Sequence, residues 1–204
     1  MASPHVEGFN KDALTMSTSP DNNYGSKDYI TVLQDNGAKD MVWYYSIVLV
    51  DFSELTDLTA GSQVVSATCT AQQSSGILEN NIWTVGWYRA RGPYDTPPVA
   101  DWGESTVTHN NMPGFDISVF SEFRDPYDDF FINGGLTVWD IKAMIVDAVD
   151  NRHNIWNARL MNLGSKIGGI MQQSYWSREG TVPPYITITY TVGGAVTKTR
   201  VMVF

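Results

Sequence analysis

Cysteine is almost absent: Cys69 is alone in 204 residues. No intrachain disulfide can form, and no disulfide framework holds the fold. Basic residues are scarce as well. Thirteen Lys and Arg stand against 22 Asp and Glu, a formal charge of -9. Phosphate backbones are held by clustered cations, so nucleic acid is not an expected partner. Long apolar runs are missing too. The longest, residues 41–50, is interrupted by Ser46 and is too short to cross a bilayer as a helix. No membrane partner is expected. The start, Met1-Ala2-Ser3-Pro4-His5, has neither the basic opening nor the apolar core of a secretory signal. The expectation is a soluble chain made in the cytoplasm.

Catalytic signatures are also lacking. His5, His109 and His153 sit in unrelated segments, and no paired His or Cys/His spacing suggests zinc. There is no Gly-x-Ser-x-Gly elbow, and no Gly-x-Gly-x-x-Gly or phosphate loop. The sequence therefore points to a protein that is not an enzyme and has no cofactor.

What is present describes a folded β protein. The chain is 43% hydrophobic and only 17% charged, the opposite of a disordered composition. Residues 1–19 are mixed and polar and read as an N-terminal arm. Beyond them period-2 alternation dominates. Residues 29–33 form a short strand, and Asp35-Asn36-Gly37 after it is a hairpin signal. Residues 41–51 are apolar on both faces, as in a central strand. Val65, Ala67, Cys69 and Ala71 share one face of the next strand, which makes Cys69 a core residue. Trp83, Val85 and Trp87 share a face of another.

Residues 90–135 carry Gly92-Pro93, Pro97-Pro98, Pro113-Gly114, Asp125-Pro126 and Asn133-Gly134-Gly135, so long loops are expected there. One stretch has helical period: Ile141, Met144, Ile145, Ala148 and Val149 form a stripe, with Asp140 as N-cap and a stop at residues 150–152. Strands resume at 155–163 and 167–171. The clearest alternation sets Ile186, Ile188, Tyr190 and Val192 against Thr187, Thr189 and Thr191. Gly193-Gly194 then turns into a last strand, 196–203. Short strands, one helix and many turns predict an all-β chain, a jelly-roll-like antiparallel β-sandwich with one short helix and long loops. The expected organisation is an arm, 1–19, and one sandwich domain, 20–204, with an extra C-terminal hairpin strand over 193–204.

The order of several motifs resembles the DNRLRE-type domains, β-sandwich modules related to carbohydrate-binding modules. Asn22-Asn23-Tyr24-Gly25 before the strand at 29–32 is similar to the family's opening. Residues 48–55 resemble its strand ending in an Asp-Leu-Ser-like turn, and residues 64–68 its next strand. Trp102-Gly103-Glu104-Ser105-Thr106-Val107-Thr108-His109-Asn110-Asn111-Met112-Pro113 is similar to its Trp-x-Glu-x-x-Val-Thr-Trp-Asn-Asn-x-Pro segment, with His109 in place of Trp. Trp139-Asp140-Ile141, Ser177-Arg178-Glu179 and residues 183–190 follow in the family's order. The last hairpin lies outside the pattern.

Trp102 and Glu104 form the best motif. They make either a loop platform, with Trp on a sugar face and Glu on a hydroxyl or ion, or a packing motif, which is the commoner role of such a Trp. Tyr94 and Tyr127 are further candidate ligand-binding aromatics, among Tyr88, Phe115, Phe120, Phe130 and Phe131. Asp125, Asp128 and Asp129 lie in one loop that could supply oxygen ligands to calcium, though without EF-hand spacing.

Two functions fit. The first is a non-catalytic structural or accessory protein of a virus particle, most naturally a bacteriophage, since DNRLRE-like sandwiches also occur in phage structural proteins. It would be a capsid decoration or surface-attachment protein, made in the host cytoplasm. Its terminal arm and edge strands would dock it to capsid proteins or to further copies of itself. The second is an extracellular carbohydrate-binding module of a secreted polysaccharide-active protein, which makes a surface glycan the other candidate partner.

Overall fold

Alternation along residues 185–192 places Ile186, Ile188 and Tyr190 in the core, each fully buried, with the threonines between them half-buried. That pattern repeats, less cleanly, through the chain. A computed structural model describes residues 11–35, 42–78, 85–92, 95, 102–121, 135–162, 170–194 and 196–203. In order they form β1 Lys11–Met16, β2 Tyr29–Asp35, β3 Val42–Asp51, β4 Val64–Leu78, β5 Val85–Ala90, β6 Phe115–Phe120, β7 Leu136–Asp140, α1 Lys142–Asn151, β8 Ile155–Asn162, β9 Ile170–Trp176, β10 Tyr185–Val192 and β11 Val196–Val203. Every strand pair is antiparallel. The all-β, sandwich-like class expected from the sequence is what the chain adopts.

The strands make two layers that share β4. The smaller layer runs β11-β10-β4-β7, and the larger runs β4-β9-β2-β3-β8-β5-β6, with β1 beside β3. The first part of β4 pairs with β10 and β7, while its end pairs with β9. The crossing comes where the register shifts between Gln73 and Ser75, a bulge that lets a strand leave one sheet for the other. The order ends at β11 and β6, so the sheet stays open.

Three sequence expectations change. Lys11–Met16 belongs to the sheet rather than to an arm: it pairs with β3 along its whole length, and Asp12, Ala13, Leu14 and Thr15 are all buried. Burial on both faces erases the alternation that would have marked it. Residues 1–10 lie outside the described residues. Val65 is 49% exposed although Ala67, Cys69 and Ala71 are buried. The register shift between Thr189 and Tyr190, where Val64 replaces Val65 as the partner, turns Val65 outward and Val64 inward. The region expected to be loop also contains β6, which closes the larger sheet on β5.

The N-cap of helix α1 is Ile141 rather than Asp140, whose Oδ1 accepts the Lys142 N–H at 2.8 Å from the last position of β7. Met144, Ile145 and Ala148 turn inward, and the helix packs on β4, β6 and β8. It ends at Asn151, followed by His153 and Asn154 in the left-handed region. Gly193 and Gly194 also have positive φ, 59° and 77°, and make the β10–β11 turn.

The main core joins the layers through aromatic rings. Trp139 of β7 meets Trp87 of β5 at 5.8 Å and Tyr175 of β9 at 5.2 Å, both edge-on. Trp87 in turn meets Trp156 of β8 at 5.5 Å. The Trp139 Nε1–H donates to the Val85 carbonyl at 2.9 Å, so a side chain of the smaller layer satisfies backbone of the larger one. Cys69 is buried in this core, and burial pushes its thiol well up, which leaves it an inert apolar side chain. Replacing Trp139 by Phe removes that donor, strands a buried carbonyl and leaves a small void. The expected cost is about 2–3 kcal/mol, read by urea unfolding. A loss near zero would show that the ring layer does not join the sheets.

Candidate functional site

The segment from Trp102 to Met112 folds over the outer face of the larger sheet. Trp102 is 5% exposed and packs with Ala13, Leu49, Ala90 and Val107 in a second, smaller core. Its Nε1–H donates to Asn157 Oδ1 at 3.1 Å. The Lys11 ammonium stands 4.7 Å over the ring and donates to the Trp102 carbonyl. A ring held in this way has no open face for a sugar. Of the two roles expected for Trp102, the geometry matches packing.

Glu104 is turned inward as well. Its carboxylate accepts from Arg178 Nη2 at 3.0 and 2.9 Å and from the Asp12 N–H at 3.3 Å. Arg178 also donates to Glu179 at 2.8 Å, and its backbone N–H donates to Asp12 Oδ2 at 2.8 Å. The Asn23 amide donates to the carbonyls of Glu104 and Val107, both at 2.7 Å. A Cβ on Gly25 would run into the Glu104 backbone carbonyl, so only glycine fits there. Asn110 clasps the same segment, its side chain on Asp21 at 2.8 Å and its N–H on the Pro20 carbonyl at 3.1 Å. Three motifs far apart in sequence, at 20–25, 102–113 and 177–179, thus close on one another.

Asp12, Glu104 and Glu179 bring carboxylate oxygens within 4.8 Å of one another. Arg178 binds all three residues through its guanidinium or its backbone N–H, so the cluster is an ion-paired clasp. The residues expected to hold calcium, Asp125, Asp128 and Asp129, lie outside the described residues, as do Tyr94 and Tyr127.

Asp12 is 1% exposed, and burial pushes its carboxyl up to about 7 from 3.8, with Glu179 and Glu104 adding to the rise and Arg178 opposing it. The folded chain therefore holds this proton more tightly than the unfolded chain. Stability from this group is full below about pH 4 and is lost as pH rises through about 7. Asp12→Asn should remove that slope and make the protein more stable than the native chain at pH 8, by at least about 1 kcal/mol. Unfolding measured at pH 5 and pH 8 checks this; a variant less stable at both would contradict a protonated Asp12.

Next to the clasp lies a cleft of about 430 Å³. It opens where β3 ends at Asp51, β8 begins at Ile155 and β5 ends at Ala90, with α1 on its other side. One wall is an ion-pair lattice. Arg89 contacts Asp95 at 2.6 Å, Asp147 at 3.6 Å and Asp116; Arg152 contacts Asp95 at 2.9 Å and Asp147 at 3.4 Å. Hydrogen bonds from Ser118, with Arg89 beside it, hold the Asp116 carboxyl down at about 2.

The sequence reading missed these residues. One signal was available: Arg89 shares the parity of Trp87 on a strand with no exposed position, and a cation there demands carboxylates. The carboxylates come from a bend six positions on, from β6 and from α1, and spacing does not reveal that Asp116 and Asp147 reach the same guanidinium. Arg159 was missed for the same reason. It is 6% exposed and stacks 3.7 Å from the Tyr45 ring and 4.9 Å from the Phe115 ring, and burial lowers it to about 10. His109, standing where the resembling family has Trp, stacks on the other aromatic partner of that pair, Tyr45, at 5.9 Å.

Fold and site together define an antiparallel β-sandwich with a clasped loop and a charged-rim cleft. The chain matches no protein-family model and none of the curated proteins compared with it. The resemblance to DNRLRE-type domains accordingly rests on the order of the motifs quoted above.

Proposed function

We propose that the chain is a non-catalytic structural or accessory protein of a bacteriophage particle, a capsid decoration or surface-attachment protein that docks through a strand edge. The observation that carries this reading is β11. It pairs with β10 over eight residues, and no strand among the described residues pairs with its outer edge. An open edge of this length is a template for a strand from another chain. The hairpin is held rigid, as a docking element needs to be. Tyr190 Oη donates to Asp57 Oδ1 at 2.7 Å, and Lys198 pairs with the same carboxylate.

The clasp supports the reading from the other side. The best loop motif is spent on internal bonds, so the features left for recognition are edges and the cleft. Arg200 on β11 disfavours a second β11 laid antiparallel with Arg200 opposite its own copy, because like charges would meet. A capsid protein is therefore the favoured partner. The docking role expected of the arm shrinks to residues 1–10, since Lys11–Met16 is part of the sheet.

Neighbouring residues of an antiparallel strand turn their N–H groups to opposite edges. Thr199→Pro and Arg200→Pro therefore remove one donor that faces β10 and one that faces outward. The variant that keeps the native melting temperature is the outward one. It should be incorporated into particles assembled in its presence at least tenfold less than the native chain. Incorporation at the native level would refute docking through β11.

A further inference from the structure

We infer that Arg159, on the outer face of the larger sheet, is a seat for a carboxylate carried by a peptide segment of another protein. Arg159 belongs to β8 and lies opposite Ile47 of β3 and Tyr88 of β5. It is 6% exposed, and its Nε is buried with no hydrogen-bond partner. The guanidinium stands 3.7 Å from the centre of the Tyr45 ring and 4.9 Å from that of Phe115. Among the described residues no carboxylate pairs with it.

The chain treats other guanidinium groups differently. Arg89, also buried, is given Asp95, Asp116 and Asp147; Arg152 is given Asp95 and Asp147; Arg178 is given Glu104 and Glu179. Buried charges are normally paired, because an unpaired one has lost its water and gained nothing in return. Arg159 shows the consequence: burial lowers it to about 10, with Tyr45 opposing the fall. Tyr45 does not neutralise it, since burial pushes the phenol up and keeps it uncharged. Ring faces attract a cation without cancelling its charge. A carboxylate cancels it, through charge-assisted bonds from the guanidinium.

A single charge selects a monoanion. His109 stacks on Tyr45 at 5.9 Å, and its Nδ1 is buried with no partner. Burial and the nearby Arg159 hold the imidazole below the usual histidine range, so it is neutral at pH 7. A neutral imidazole can present Nδ1–H as one further donor. One cation and one neutral donor match a carboxylate and leave the second charge of a phosphate unmatched. The rim is aromatic. Tyr88 meets Phe115 at 5.6 Å and Phe120 at 6.0 Å, and Phe120 is 46% exposed. Arginine among aromatic rings is the make-up of an interface anchor, which favours a carboxylate borne by a peptide over a free small acid. β8 lies in the larger layer and β11 in the smaller, so the seat does not depend on docking through β11.

The test follows the Arg159 Nε–H and His109 ring signals by NMR while the full chain is titrated. The probes are N-acetylglutamic acid α-amide for a side-chain carboxylate, N-acetylphenylalanine for a chain end, acetate for a free acid, N-acetylglutamine amide as the uncharged control, and inorganic phosphate. The expected result is a saturable shift at Arg159 with at least one of the first two, at a dissociation constant of about 10 mM or tighter, and none with the control. Arg159→Met keeps much of the volume and removes the charge. It should weaken carboxylate binding at least about tenfold and leave the melting temperature unchanged or higher, because an uncompensated buried charge is gone. A purely structural Arg159 gives the reverse: a lower melting temperature, and no carboxylate bound by the native chain. His109→Phe keeps a ring on Tyr45, removes Nδ1 and should also weaken binding; it serves if Arg159→Met does not fold. The inference is overturned if neither peptide-type carboxylate saturates by about 10 mM, if acetate, the control or phosphate binds as tightly, or if binding is untouched by the variants.

Discussion

Trp139 is the point where the aromatic rings of the two layers meet. This indole enters from a strand of only five residues, β7, and lies against Trp87 and Tyr175 of the other sheet. Two sheets that share a single strand could hinge about that strand. The ring contacts and the bond to the Val85 carbonyl tie the layers across the core from the residue that pairs with Cys69 of β4. Because α1 follows β7 directly, the same anchor sets where Met144, Ile145 and Ala148 meet the core. The cleft lies between that helix and the ends of β3, β5 and β8.

The clasp follows a different economy. Asp12 is buried beside two more carboxylates and one guanidinium, an arrangement that disfavours the charged form of Asp12. A protein selected for stability alone would have no need of it. What the clasp does achieve is register. It ties the first strand, the Trp102 loop and the β9–β10 connection to one another through groups that fit in only one way, including the glycine at 25 pressed on the Glu104 carbonyl. Polar networks of this kind specify one arrangement more than they stabilise it. The outer face of the larger sheet, with Lys11 and Trp102 on it, inherits that specification.

Legibility of the fold tracked contrast between faces. β10 has one buried face and one half-exposed face, and its alternation was plain. The helix stripe was plain for the same reason, and Ile141, Met144, Ile145 and Ala148 are all buried as expected. β1 has no such contrast, because both faces are covered, and it passed for an arm. Val65 was misplaced by a bulge, which changes parity without changing composition. The site was legible only in part. Trp102 and Glu104 stood out as a motif, yet their bonds to Asn157, Asp12 and Arg178 cross 55 to 92 positions of sequence. The Arg89–Arg152 lattice left a single trace, a cation in a strand of buried residues.

These two polar assemblies bear on how an acidic protein could fill the proposed attachment role. A formal charge of -9 suggests a surface that repels acidic partners over a distance. Close up, the cations are not spread evenly. Arg89, Arg152 and Arg178 are consumed by internal carboxylates and Lys198 is paired with Asp57, while Arg200 is carried on β11, which has no acidic residue and, among the described residues, no strand on its outer edge. Under the proposed docking role, long-range charge would keep copies of the chain apart while the open edge of β11 supplies the contact. The proposed attachment would then depend on contact geometry at the strand edge rather than on steering by charge.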